Sequence, residues 1–214
     1  ANAALTPTLE EVNISFDRFP SEPVLLGPPD GAWANTTSPV FSWRFNDTDS
    51  DIQGMFDWQL NRNDNLSSPE YRSGDVGSNE TNYTYDKPLP EGLLYWRVRT
   101  ADGHGWGPYS EVRALGVDIS PPSSFTPFVD PAKWTAQAVD LIFLADDNVS
   151  GVQKFTVVID NKPYGARQSP WTLPELPDGT RNIVVRAYDR AGNWAEGRTK
   201  AFVDRTPPAD FTPV

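Results

Sequence analysis

The sequence has no cysteine, one methionine and one histidine in 214 residues. Without cysteine there is no disulfide framework and no thiolate metal site, which disfavours a typical animal ectodomain. The histidine, His104, lies between two glycines with no recognisable Ser or Cys nucleophile beside it. Carboxylates are plentiful, but they fall in loops without an evident cleft. We therefore predict that the chain is not an enzyme.

Long hydrophobic runs and an excess of basic residues are also missing. No run of 18 apolar residues occurs, so we predict no membrane insertion within this segment. The chain has 18 Lys and Arg against 29 Asp and Glu, a net charge of −11, and nucleic acids and anionic lipids require clustered positive charge. We predict neither as a partner. No basic-then-apolar signal opens the sequence, and we expect any signal or anchor to lie outside it.

Proline and glycine are abundant and punctuate short apolar runs. The chain holds 21 Pro and 15 Gly, and no stretch has the pattern of a long amphipathic helix. The 8 Trp, 11 Phe and 7 Tyr supply enough bulk for two cores. A sandwich domain has about 100 residues. The sequence therefore predicts an all-β chain of two tandem sandwiches.

One segment occurs twice. VDISPPSSFTP at 117–127 returns as VDRTPPADFTP at 203–213, a spacing of 86 residues. Pro-Pro after a strand stops ladder pairing and stiffens the chain, so each copy predicts a strand end followed by a short Pro-rich linker. We predict an N-terminal extended segment at 1–19, sandwiches at 20–118 and 119–206, and the start of a following repeat or linker at 207–214.

Two stretches carry a family resemblance. The alternating strand 94–100 and the sequence ADGHGWGPYS at 101–110 resemble the last hairpin of a fibronectin type III domain, and Trp43 lies where that family keeps a core tryptophan. Leu94 departs from the family, which usually has tyrosine there. The sequence YDRAGN at 188–193 resembles the Ig-like repeats of large prokaryotic surface proteins. These resemblances imply Ig-like and fibronectin III-like folds, which host many unrelated functions.

Asparagine is concentrated in N-glycosylation acceptor sequences. Of 13 Asn residues, seven begin Asn-Xaa-Ser/Thr, where roughly two would arise by chance. They are Asn13, Asn35, Asn46, Asn65, Asn79, Asn82 and Asn148. One interpretation is that these residue types share loops because each favours turns. The other is glycosylation on an exported surface, which, with no cysteine and an acidic composition, favours an archaeal envelope protein. A bacterial adhesin fits everything except the excess of acceptor sequences.

One acidic loop has the spacing of a cation site. Asp47, Asp49 and Asp51 alternate in a way that lets carboxylates converge on a hard cation such as calcium. The EF-hand pattern fails, because Ile52 and Trp58 occupy its glycine and glutamate positions. A solvated turn and a calcium site of another geometry both remain open, and no other cofactor is predicted.

The tryptophans divide into two groups. Trp43, Trp58 and Trp96 lie on predicted strands and are expected in the core. Trp33, Trp134 and Trp171 neighbour Pro, Gly or polar residues. If they are exposed they could stack on sugar rings, which would make the chain a carbohydrate- or protein-binding accessory module of an extracellular enzyme.

The N-terminal segment alternates Val12, Ile14 and Phe16 with polar residues. This half-buried strand pattern fits either the first domain's own sheet or a strand lent to a neighbouring subunit. The leading hypothesis is a non-catalytic module of a glycosylated cell-surface protein, acting as a stalk, surface-layer, adhesin or filament component. Its expected partners are other cell-surface proteins or glycans, and copies of itself.

Overall fold

A computed structural model describes residues 18–209 of the chain. The first domain consists of nine strands in that part of the sequence. They are β1 (Val24–Gly27), β2 (Ala32–Ala34), β3 (Phe41–Arg44), β4 (Met55–Asn61), β5 (Tyr71–Arg72), β6 (Val76–Gly77), β7 (Asn82–Tyr83), β8 (Gly92–Ala101) and β9 (Arg113–Val117). Strand β8 contains the alternating strand predicted at 94–100, and Trp43 and Trp58 lie on β3 and β4, on strands as predicted.

These strands form two sheets. One has the order β1-β3-β7, and the other has the order β2-β9-β8-β4-β5 with β6 also paired to β4. The pair β2–β9 is parallel, whereas β8 pairs antiparallel with both of its neighbours. A sandwich results, because the two sheets cover each other's apolar faces.

The first core is aromatic. The Phe41 ring on β3 lies 4.7 Å from the Trp58 ring on β4 and 4.8 Å from the Trp96 ring on β8, measured between ring centroids. Trp43 packs edge-on against Phe56 at 5.1 Å. Because β3 belongs to one sheet and β4 and β8 to the other, these contacts join the sheets. The predicted burial of Trp43, Trp58 and Trp96 is confirmed.

The second domain consists of seven strands. They are β10 (Phe128–Asp130), β11 (Asp140–Ile142), β12 (Val152–Ile159), β13 (Lys162–Arg167), β14 (Trp171–Thr172), β15 (Gly179–Asp189) and β16 (Trp194–Val203). One sheet has the order β10-β11-β14 and the other β13-β12-β15-β16. Its core is mainly aliphatic and includes Leu141, Val157 and Val185, each fully buried.

The prediction of an all-β chain with tandem sandwiches is confirmed. The domain boundaries stay a prediction, and the alternating segment around Ile14 lies outside the described residues. Within 18–209, no helix is long and apolar enough to cross a membrane.

Candidate functional site at the domain junction

Asp118 connects the two domains. It follows β9 directly, and its backbone N–H donates to the Ala34 carbonyl of the first domain at 2.9 Å. Its carboxylate Oδ2 accepts the backbone N–H of Ser150 in the second domain at 3.1 Å. The Asp118 side chain is fully buried. One residue is therefore bonded to both domains at the point where the chain passes between them.

Asn193 strengthens the junction from the second domain. Its Nδ2 donates to the Asp118 carbonyl at 2.9 Å and to Asp189 Oδ2 at 2.8 Å. Asp189, at the end of β15, also accepts the backbone N–H groups of Gly192 and Asn193 on Oδ1. The turn after β15 is thus held in one conformation, which positions Asn193 against the linker.

A third carboxylate completes this cluster. Asp147 lies in the loop between β11 and β12, and its Oδ1 accepts the backbone N–H groups of Val149, Ser150 and Gly151 at 2.8–3.1 Å. Carboxylate oxygens of Asp118, Asp147 and Asp189 all lie within 4.8 Å of one another. We call these three residues the junction cluster.

The first domain has a cluster at the equivalent place. Asp102 directly follows β8, as Asp189 ends β15, and the Asp102 Oδ1 accepts the backbone N–H groups of His104 and Gly105. Ligand atoms of Asp51, Asp102 and His104 lie within 4.8 Å of one another. We call these three residues the entry cluster, because they lie where the chain enters the first domain.

The structure separates the three aspartates of the acidic loop. Asp47 Oδ1 accepts the backbone N–H groups of Asp49 and Asp51 at 2.7 and 3.3 Å, and Asp49 Oδ2 accepts the Arg18 N–H at 2.7 Å. Asp51 alone of the three belongs to the entry cluster. The loop therefore combines turn-forming carboxylates with one carboxylate placed near Asp102. A calcium site in this loop stays a prediction.

The glycosylation acceptors within the described residues all lie on the surface. Asn35, Asn46, Asn65, Asn79, Asn82 and Asn148 are all exposed. Asn13 lies outside the described residues. Exposure is what a modifying enzyme requires, and use of the acceptors stays a prediction.

The tryptophans Trp33, Trp134 and Trp171 differ in their exposure. Trp134 is 56% exposed and packs against Phe202, whereas Trp33 and Trp171 are half-buried. Trp171 lines an open groove of about 890 Å³ on the second domain. The Arg167 guanidinium lies 4.8 Å from the Trp171 ring centroid. Of these three tryptophans, only Trp134 is exposed.

Sequence reasoning assigned no site role to Asp102, Asp118, Asp189 or Asn193. The signal was present, since Asp118 lies in the repeated segment and Asp102 aligns with Asp189 when the two domains are compared. Alignment alone does not show that the linker folds back onto the loop containing Asp147, because the residues are distant in sequence.

The fold resembles known structures, whereas the sequence has no close match. No protein-family model matches, and neither does any curated protein. Fibronectin III-like modules of Clostridium thermocellum CbhA align with a TM-score of 0.57 and 13% identity, covering 89% of this chain and 100% of that one. The fold is therefore fibronectin III-like.

Two further structures align at lower scores. The FN1–FN3 domains of chicken CNTN1 give a TM-score of 0.47 at 13% identity, covering 87% of this chain and 66% of that one. An alpha-L-rhamnosidase from Dictyoglumus thermophilum gives 0.42 at 12% identity, covering 89% and 30%.

Proposed function

We propose that the chain is a non-catalytic structural or interaction module of a glycosylated extracellular protein, acting as a stalk, surface-layer, adhesin or filament component. The observation that carries this proposal is the junction at Asp118. Its bonds to Ala34 on one side and to Ser150 and Asn193 on the other restrict rotation between the sandwiches. A fixed angle between neighbouring domains is what a load-bearing or spacing element needs.

The exposed acceptor asparagines support the proposal that the protein is exported. Six exposed acceptor asparagines, most of them in the first domain, would carry glycans directed away from the cores. The absence of cysteine and the net charge of −11 fit a prokaryotic surface, and we propose an archaeal envelope as the setting.

A scattering experiment tests the proposed stiffness. Small-angle X-ray scattering of the full chain should fit a single arrangement of the two domains. Asn193→Ala, which removes the contact to the Asp118 carbonyl, should broaden the distribution of interdomain distances. Asn182→Ala is the matched control, because this exposed asparagine lies on β15 away from the junction. A wild-type chain that already samples many arrangements would rule out a spacing role.

Mass spectrometry tests the proposed surface location. Intact mass of the protein from its native host should exceed the polypeptide mass and fall to it after deglycosylation. A bare polypeptide mass would contradict glycosylation. The acceptor sequences would then be explained by the preference of their residues for turns.

The groove beside Trp171 favours one second candidate, a carbohydrate- or protein-binding accessory module. Its lining includes Phe143, Phe155 and Arg167, a mixture of apolar and charged groups. Titration of the chain with soluble oligosaccharides, with Trp171→Ala as comparison, tests it. Binding that Trp171→Ala abolishes would support the accessory module, and absence of binding would remove the sugar-binding form of this candidate.

A further inference from the structure

We propose that a divalent cation binds where the chain enters each domain, held by Asp102 and Asp51 with His104 in the first domain and by Asp189, Asp147 and Asp118 in the second. The proposal concerns two equivalent sites, the entry cluster and the junction cluster. It is independent of what the module contacts outside itself.

Asp102 supplies the observation that points to a ligand. Its side chain is fully buried, and its Oδ1 is used by the backbone N–H groups of His104 and Gly105. Its Oδ2 is also buried and has no hydrogen-bond partner among residues 18–209. A buried carboxylate oxygen without a partner is costly. A cation beside Asp51 would satisfy it.

The entry cluster brings suitable atoms to the Asp102 carboxylate. The His104 Nδ1 lies 3.8 Å from Asp51 Oδ2 and 4.0 Å from Asp102 Oδ1. The turn built on Asp47 Oδ1, which accepts the Asp51 N–H, fixes the loop that carries Asp51. Two carboxylates and one imidazole therefore face the same small volume, at separations that a cation bound between them would span.

The junction cluster offers three carboxylates at the equivalent place. Asp118 and Asp189 are fully buried, and no lysine or arginine of the described part of the chain forms an ion pair with either of them or with Asp147. Three carboxylates within 4.8 Å of one another repel, and a cation bound between them would offset this repulsion. An all-oxygen donor set of this kind suits calcium.

Matching backbone contacts place the two clusters at corresponding points of the two domains. The Ser21 N–H donates to the Asn46 carbonyl at 2.8 Å, and the Ser123 N–H donates to the Asp146 carbonyl at 2.8 Å. In both domains the incoming chain thus pairs with the acidic loop at the same point. The clusters therefore occupy the same place in each domain, with Asp102 matching Asp189, whereas their other ligands differ.

A buried carboxylate elsewhere in the chain has positively charged side chains beside it. Asp57, also fully buried, has the guanidinium groups of Arg72 and Arg99 at 3.2–3.4 Å. The chain therefore supplies its own cations at Asp57. At Asp118 and Asp189 the described residues supply only hydrogen-bond donors, which leaves the compensating charge to an ion.

Calorimetric titration of the full chain with calcium chloride, after dialysis against a chelator, tests the proposal. Wild type should bind about two ions per chain, with dissociation constants of roughly 10⁻⁴–10⁻³ M as in extracellular calcium modules. Asp102→Asn and Asp189→Asn should each lose one ion, and the double variant should lose both. Asparagine keeps an acceptor oxygen for the backbone N–H groups, so the turns should persist. Circular dichroism checks that each variant folds.

Asp160→Asn is the matched control, because Asp160 also accepts a backbone N–H and lies outside both clusters. It should keep both ions. About 10 mM calcium chloride should raise the wild-type Tm by on the order of 5 °C and leave the double variant unchanged. Manganese chloride is the second probe, because the entry cluster includes imidazole. Absence of binding by both ions, or undiminished binding by the folded double variant, would overturn the proposal.

Discussion

Asp57 on β4 is a fully buried carboxylate whose neighbours on the same sheet neutralise it. Arg99 lies 3.2 Å from its Oδ2, and the Tyr109 hydroxyl donates to the same oxygen at 2.7 Å. The Arg97 guanidinium lies 3.9 Å from the Tyr109 ring centroid. Charge, hydrogen bonding and ring contact are therefore concentrated on one residue, Tyr109.

The raised pKa of Tyr109 makes the free energy of unfolding depend on pH in the alkaline range. Burial raises this pKa to about 12, and the hydrogen bond to Asp57 adds to the rise. An unfolded tyrosine releases its proton near pH 10, so the folded state binds more protons between pH 10 and 12. The contribution of protonated Tyr109 to the free energy of unfolding is present in full below about pH 10 and is lost as pH rises towards 12. Because Tyr109 is half-buried, solvent screening reduces it to ~1 kcal/mol.

Urea unfolding at pH 8 to 11.5 checks this prediction. Tyr109→Phe should lower the free energy of unfolding at pH 8 by about 1–2 kcal/mol, because a hydrogen bond to a charged acceptor is lost. The wild-type advantage over Tyr109→Phe should shrink above pH 10. A constant difference between the two proteins across this range would contradict the assignment.

At the scale of secondary-structure elements, the packing of strand β2 depends on Gly116 of the neighbouring strand β9. The register of the parallel pair places Trp33 opposite Gly116 on β9. A Cβ built at Gly116 would lie 2.2 Å from the Trp33 ring, far inside van der Waals contact. The ring therefore lies directly on the backbone of β9 and anchors the short strand to the sheet edge.

Gly116→Ala should displace the Trp33 ring and destabilise the first domain by about 1–3 kcal/mol, as other insertions into packed sites do. Gly77→Ala is the control, because a Cβ at Gly77 meets nothing within 4 Å. Denaturant unfolding of both variants gives the comparison. Equal stability of the two variants would mean that Trp33 moves at no cost.

The sequence predicts elements well where the pattern is local. Alternation over 94–100 identifies β8, and the repeated Val-Asp-Xaa-Xaa-Pro-Pro segment marks the end of β9 and of β16. It predicts poorly where function depends on tertiary contact. The cluster that joins Asp118 to Asp147 and Asp189 requires the linker to fold onto two loops, and no spacing rule in one chain encodes that approach.

At the scale of the whole molecule, two separate cores are joined by one junction. The first is built around Phe41, Trp58 and Trp96, and the second around Leu141 and Val185. Among the residues that the structure describes, none belongs to both cores. Because the junction is held by a few polar contacts, we expect the domains to unfold as distinct units.

Differential scanning calorimetry tests this independence with one substitution in each core. Trp58→Ala should cost the first domain about 3–5 kcal/mol, and Leu141→Ala should cost the second about 2–5 kcal/mol. Each variant should lower one of two transitions and leave the other nearly unchanged. A single transition that moves with both substitutions would show that the chain unfolds as one unit.

The backbone of Asp204 repeats that of Asp118. The Asp204 N–H donates to the Thr135 carbonyl at 3.0 Å, just as the Asp118 N–H donates to Ala34. Each domain thus has an aspartate at its exit, and a pair of acidic loops at its entrance. A further domain of the same design placed after β16 would therefore receive Asp204 at its acidic loops, as the second domain receives Asp118.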